Sequence, residues 1–207
     1  MTQFITMKKQ LVLASGSAIR KTLLDNAGLD FKIIPADIDE ETIRVKMETE
    51  TPDISPLEVA ECLAREKARH ISLQNPDAYV IGSDQILALE SEIMGKPENL
   101  ELAFERLLKL SGKTHQLHTA VSVVYQGIET WSYAESVHMT MRELKPEYIR
   151  KYLAEAGEEV CKSVGAYKLE SLGVQLFSKI EGNYFTILGI CLLPLLTYLR
   201  EEGIIES

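Results

Sequence analysis

Apolar positions recur with two periods along the chain, and the alternation of those periods sets the expected order of elements. Residues 10–14 read as a short buried strand, followed by a tight Ser15-Gly16-Ser17 turn. That turn opens a helix carrying Ile19, Leu23 and Leu24 on its apolar side and stopping near Gly28. Residues 31–34 form a second strand. The stretch from Pro35 to Pro52 is polar and acidic with weak periodicity, which predicts a loop or an exposed short helix. The strongest helix signal begins at Ser55. With Ser55 as N-cap, Pro56 at the first helical position and Glu58 three residues after the cap, side chains satisfy orphan backbone donors, and the helix should run to about Leu73.

Residues 79–82 and 86–89 are apolar runs flanking Ser83-Asp84-Gln85, which predicts a strand with an interruption or turn in its middle. A helix from Asn99 as N-cap to Gly112 follows. Residues 115–125 and 128–141, rich in β-branched and aromatic residues and split by Gln126-Gly127, predict an antiparallel hairpin. The remaining pattern gives a helix over 146–156 ended by Gly157, a strand over 174–180 and a last helix over 194–202 stopped by Gly203. There is no internal repeat and no linker rich in Pro, Gly or Ser. Interleaved strands and helices with a hairpin in the middle predict an α/β fold with a mixed sheet in one domain spanning residues 1–207.

On a helical wheel of the Ser55 helix, Leu57, Ala60, Leu63, Ala64, Ala68 and Ile71 share one face, and Lys67 falls in the middle of it. A lysine there either snorkels along its stem to water or meets an anion in a cleft, because an unpaired buried ammonium is very costly. Asp84, a lone charge between two apolar runs, is either a turn aspartate capping backbone N–H groups or an acid held in a cleft. The Ser15-Gly16-Ser17 turn, with Arg20 in the first turn of its helix, offers free N–H groups and a positive helix end to an anion. It lacks the phosphate-loop pattern. The acidic run from Asp37 to Glu41 is either solvated surface or a donor of one or two carboxylates to Mg²⁺. Lys96, in Gly95-Lys96-Pro97, reads as a loop lysine, and the four histidines show no metal-like pairing.

Composition narrows the partners. Among 207 residues, 22 Lys plus Arg stand against 31 Asp plus Glu, a net charge of −9, the wrong sign for holding a nucleic-acid polymer by phosphate neutralisation. A few cations gathered in a cleft could still hold a small polyanion. Three widely spaced cysteines without a Cys-x-x-Cys pair suggest neither a disulfide framework nor a zinc site, and fit a reducing, cytoplasmic setting. Lys8 and Lys9 precede an apolar stretch too short for a signal-peptide core. The uncharged run 184–199 is broken by Gly189 and Pro194 and is shorter than a membrane span, so no membrane association is expected.

Seven segments in order, L-A-S-G-S-A-I-R-K-T-L-L at 13–24, D-I-D-E at 37–40, L-A-R-E-K-A at 63–68, I-G-S-D-Q at 81–85, G-K-P at 95–97, L-S-G-K-T-H at 110–115 and I-E-G-N-Y-F at 180–185, resemble the Maf family of nucleoside triphosphate pyrophosphatases, also called septum formation inhibitors. The resemblance covers nearly the whole chain from Leu11 to Gly203. It implies a mixed twisted sheet flanked by helices, with two lobes around a central nucleotide cleft, often as a homodimer. It also implies hydrolysis of a nucleoside triphosphate to monophosphate and pyrophosphate with Mg²⁺ or Mn²⁺. In these terms Asp84 is the general base or a metal ligand. Ser15, Arg20, Lys67 and Lys96 hold the triphosphate, and Glu40 lies near the metal.

Three places along the chain bear on the base. Ala18-Ile19 stands where the thymidine and uridine triphosphate branch has Pro-Arg, Gln85 where it has threonine, and Glu170 where it has glutamine. Gln85 and Glu170 are similar to the branch that hydrolyses 7-methyl-GTP, while Ile19 replaces the aromatic residue usual there. A carboxylate at 170 can accept from guanine N1–H and the 2-amino group together. The alternative function is a nucleotide-binding regulator of septum formation that acts through a partner.

Overall fold

A computed structural model describes residues 9–206, so Lys8 lies outside the described residues. The elements are β1 (Gln10–Leu13), α1 (Ala18–Asn26), β2 (Phe31–Ile33), α2 (Glu40–Glu50), α3 (Pro56–Ser72), β3 (Ala78–Leu89) and β4 (Glu92–Met94), then α4 (Leu100–Leu110), β5 (Thr114–Tyr125), β6 (Ile128–Met141), α5 (Pro146–Ala156), β7 (Phe177–Glu181), α6 (Tyr184–Ile187) and α7 (Leu192–Glu201). The strands form one mixed sheet in the order β2-β1-β3-β5-β6-β7, with β4 also on β3. β1 runs parallel to β2 and β3, and the remaining pairs are antiparallel. The expected α/β class with a mixed sheet flanked by helices is what the chain forms.

The capping box at Ser55 is complete, with Ser55 Oγ accepting from Glu58 N and the Glu58 side chain accepting from Ser55 N. The hairpin turn also forms as expected, because Gln126 and Gly127 both take positive φ, 52° and 76°, the geometry of a tight two-residue hairpin loop. α3 packs on one face of the sheet through Val59, Ala60, Leu63 and Ala64 against Ile86 and Ala120. The opposite face carries the larger core, to which α1, α4, α5 and α7 contribute.

Several local expectations are corrected. β3 is not interrupted at Ser83-Asp84-Gln85 and runs unbroken through them, paired with β5 from Val80 to Ala88. The interruption belongs to the neighbours. β5 fills one edge of β3, so β1 and β4 share the other, β1 at Ala78–Ile81 and β4 at Leu87–Leu89. Between them the edge of β3 has no strand, and the sheet forks at Asp84.

The acidic stretch resolves into α2, capped by Asp39 Oδ1 accepting from Thr42 N. Val174 lies in a 3₁₀ turn, Leu172–Leu176, so the strand expected from 174 starts at Phe177. The last helix starts at Leu192 rather than 194, which places Pro194 in its first turn, where its missing N–H breaks no helical bond. β4 and α6 are too short to leave a periodic signal.

Candidate active site

The fork in the sheet opens into a cleft of about 1010 Å³, at the upper end of the range for small-molecule sites. One wall comes from the end of β1, the start of α1, and from α2 and α3. The other comes from the loop after β4 and from residues 159–170. Ser15, Ile19, Arg20, Glu40, Lys67, Asp84, Gln85, Lys96 and Glu170 all line it.

At the floor, Lys67 and Asp84 face each other. The Lys67 ammonium donates to Asp84 Oδ1 at 2.6 Å and lies 2.9 Å from Glu40 Oε1. Lys67 and Asp84 are 8% and 6% exposed, so the lysine on the apolar helix face does not snorkel, and Asp84 is a strand residue rather than a turn cap. This meeting depends on Gly82. A Cβ there would sit 2.1 Å from the Ala64 carbonyl oxygen and 2.8 Å from Ala68 N, so only glycine lets α3 lie this close to β3. Glu40 arrives from the first turn of α2, where the positive helix end favours a carboxylate.

Arg20 fills the fork. Its Nη1 donates to the Ser83 carbonyl at 2.8 Å and to Ser15 Oγ at 3.1 Å, and its Nε donates to the Gly189 carbonyl at 2.7 Å. The Ser83 carbonyl is the backbone acceptor that a missing strand would leave unpaired, and Arg20 satisfies it. Burial lowers the Arg20 pKa, while the charges of Asp84 and then Glu40 act to raise it. Gly189 takes φ of 98°, and its carbonyl also accepts from Ser83 Oγ at 2.9 Å. Burial pushes the Cys191 thiol up to about 12, so at neutral pH it is a thiol and no nucleophile.

Gln85 takes a different position from a free base-reading amide. Its Nε2 donates to Thr119 Oγ1 at 2.9 Å and to the Thr186 and Ile187 carbonyls at 2.9 and 3.1 Å. Both amide protons are therefore committed to β5 and α6, and only Oε1 remains to meet a ligand. Ile19 is half-buried and packs on the main core. Lys96 and Glu170 are exposed on the cleft wall and make no ion pair among the described residues.

The model of the Maf family, described as Maf-like protein, matches residues 10–202. The chain belongs to the Maf family. A similar protein, named nucleoside triphosphate pyrophosphatase, from Nitrobacter hamburgensis is 49% identical over 198 residues, covering 96% of both chains. A protein named 7-methyl-GTP pyrophosphatase from Mesorhizobium japonicum is 46% identical over 201 residues, covering 97% of this chain and all of the relative. A Brucella abortus protein of the same name is likewise 46% identical over 201 residues.

Some cleft residues of this Maf chain carry no mark in the sequence. Gly189 and the Ser83 carbonyl act through backbone oxygen, which residue type does not advertise. Arg44 lines the cleft but is paired within its own helix with Glu41 and Glu48 at 2.6 and 2.7 Å. That i−3 and i+4 spacing is readable in advance, but it is common to most exposed helices. Lys162 and Lys168 both pair with Glu159 on the wall opposite Arg20.

Glu40 and Asp84 suit a divalent cation. Both already reach one cation, the Lys67 ammonium, within hydrogen-bond distance. Among the described residues no group of three His, Cys, Asp or Glu could enclose a metal, which excludes a closed protein cage there. Mg²⁺ and Mn²⁺ accept one or two carboxylates and complete their shell with water and phosphate oxygens.

Proposed function

We propose that this chain hydrolyses a nucleoside triphosphate at the α-phosphorus, giving a nucleoside monophosphate and pyrophosphate, and so clears nucleotides from the pool. The observation that carries the reading is the buried Lys67–Asp84 pair at 2.6 Å beside Glu40, at a fork whose other occupant is Arg20. Buried carboxylate and cations of this kind have no structural need to meet at an open cleft.

In this reading Asp84 takes the proton of a water whose oxygen forms the new bond to the α-phosphorus. The bond from the α-phosphorus to its bridging oxygen breaks, and the electron pair leaves on pyrophosphate. Lys67 donates to Asp84 Oδ1 and leaves Oδ2 for the proton. Arg20 from α1 and Ser15 from the turn before it face the phosphates, and Lys96 faces them from the opposite wall, so charge moving onto the leaving group meets fixed cations. With Asp84 as the base, a divalent cation, Mg²⁺ or Mn²⁺, would be held by Glu40 and would neutralise part of the triphosphate charge.

The base is read by acceptors. Gln85 presents only Oε1 and Glu170 presents a carboxylate, a set that matches the N1–H and 2-amino donors of guanine. A positively charged 7-methylguanine would be drawn further to Glu170. A modified guanine nucleotide such as 7-methyl-GTP is therefore the substrate favoured here, with Ile19 packing against the base or sugar. The same reading takes the chain as one domain acting in the cytoplasm, as a homodimer. No helix among the described residues is long and apolar enough to cross a membrane.

The test is a product assay with Mg²⁺ or Mn²⁺ on the standard nucleoside triphosphates and 7-methyl-GTP, with the Asp84→Asn protein in parallel. Pyrophosphate and monophosphate in equal amounts, released orders of magnitude more slowly by the variant, are expected. Tight binding without turnover would overturn the reading in favour of a binding regulator. Release of orthophosphate would overturn it in favour of a phosphatase.

A further inference from the structure

Arg106 lies on α4, outside the cleft, yet its guanidinium reaches both ends of the far wall. Its Nη1 donates to the Gly95 carbonyl at 2.8 Å and to the Val164 carbonyl at 2.6 Å. The first acceptor adjoins Lys96, and the second lies in the irregular stretch that leads to Glu170. Gly95, Lys96, Val164 and Glu170 all line the cleft. Neither loop belongs to a helix or strand, and among the described residues no direct backbone hydrogen bond joins them. One nitrogen spans both, with its two protons held in the plane of the guanidinium, whereas a lysine ammonium could reach the two carbonyls only from a freely rotating head.

We propose that Arg106 is a positioning residue for the reaction proposed above, fixing the spacing between Lys96 at the triphosphate end and the loop carrying Glu170 at the base end. The inference rests on that reading of the cleft. Burial lowers the Arg106 pKa, with Glu92 opposing, but the guanidinium stays charged and both carbonyls receive a charge-assisted bond. Without it each carbonyl loses its partner, and the two loops are free to move apart. Lys96 and Glu170 would then meet the two ends of one nucleotide at the wrong separation.

The experiment compares Arg106→Gln and Arg106→Lys with the unmodified protein, using steady-state kinetics on the best and a poorer nucleoside triphosphate, and amide hydrogen exchange on the free protein. Arg106→Gln should raise KM about tenfold, the equivalent of one hydrogen bond to a charged group. It should also narrow the kcat/KM ratio between the two nucleotides, with kcat much less affected. Arg106→Lys should restore part of the KM. In a Lys96→Ala background, Arg106→Gln should add less to KM than it does alone, because part of its action passes through Lys96. Exchange should speed up in residues 95–98 and 162–170 together.

An unchanged KM and nucleotide ratio, or a fall confined to kcat and thermal stability, would overturn the proposal. So would full additivity with Lys96→Ala. If the unmodified protein hydrolyses no triphosphate, the proposed function fails by itself. The exchange data then decide the coupling, which stands if both loops respond and falls if one or neither does.

Discussion

At the scale of single residues, the site is organised around two groups whose burial makes sense only together. Lys67 and Asp84 are each costly to bury alone, and at 2.6 Å they offset each other. Removing one partner should be worse than removing the charge of both. Lys67→Met is expected to destabilise the fold by about 3 kcal/mol in urea unfolding, since it leaves a buried carboxylate short of its nearest cation. Lys67→Met with Asp84→Asn should regain much of that loss while remaining inactive. Asp84→Asn alone should lower kcat by about 10²–10⁴-fold, the range for loss of a general base, read as pyrophosphate release. The Lys67 anomaly was visible in the sequence, because a charge in the middle of an apolar helical stripe demands a partner. Its partners were not, because Asp84 is 17 positions away and nothing local specifies which acid the lysine meets.

At the scale of elements, the decisive contact is α3 on β3, and its tolerance is set by Gly82. Gly82→Ala should force the helix from the strand, at about 1–3 kcal/mol for overpacking, and separate Lys67 from Asp84. A lowered Tm together with loss of turnover well beyond the loss of folded protein is the expected result. The elements themselves were largely readable where a local rule was strong, as in the Ser55 capping box and the Gln126-Gly127 turn. They were misread where the rule was borrowed from the wrong place. A lone aspartate between apolar runs suggested a turn within β3, whereas the strand continues and its neighbours part around it. Pairing of that kind joins residues far apart in sequence, so periodicity along one segment is blind to it.

At the scale of the whole molecule, the core on the α4 and α5 face contains His115, fully buried, with Nε2 2.7 Å from the Tyr167 hydroxyl and Nδ1 unpartnered among the described residues. Burial lowers its pKa from 6.5 to about 4. The unfolded chain therefore binds a proton near pH 6.5 that the folded one refuses until about pH 4. Stability should be full above pH 6.5 and fall as the pH drops toward 4, by about 3 kcal/mol from this group. Tm measured across that window should decline, and more gently in His115→Leu. A flat profile in the unmodified protein would show that the histidine is not held neutral.

The sequence by itself determined the order of most helices and strands, the α/β class, the acidic surface unsuited to nucleic-acid polymers and, through its motifs, membership of the Maf family. These follow from local periodicity, capping and composition, which act over a few residues. The tertiary structure alone decided that the sheet forks at Asp84, that Arg20 closes the fork with backbone oxygens from Ser83 and Gly189, and that the Gln85 amide protons are spent on β5 and α6. Each of these depends on hydrogen-bond partners brought together from distant parts of the chain. No short segment carries the information for such a meeting, because it arises only when the elements pack.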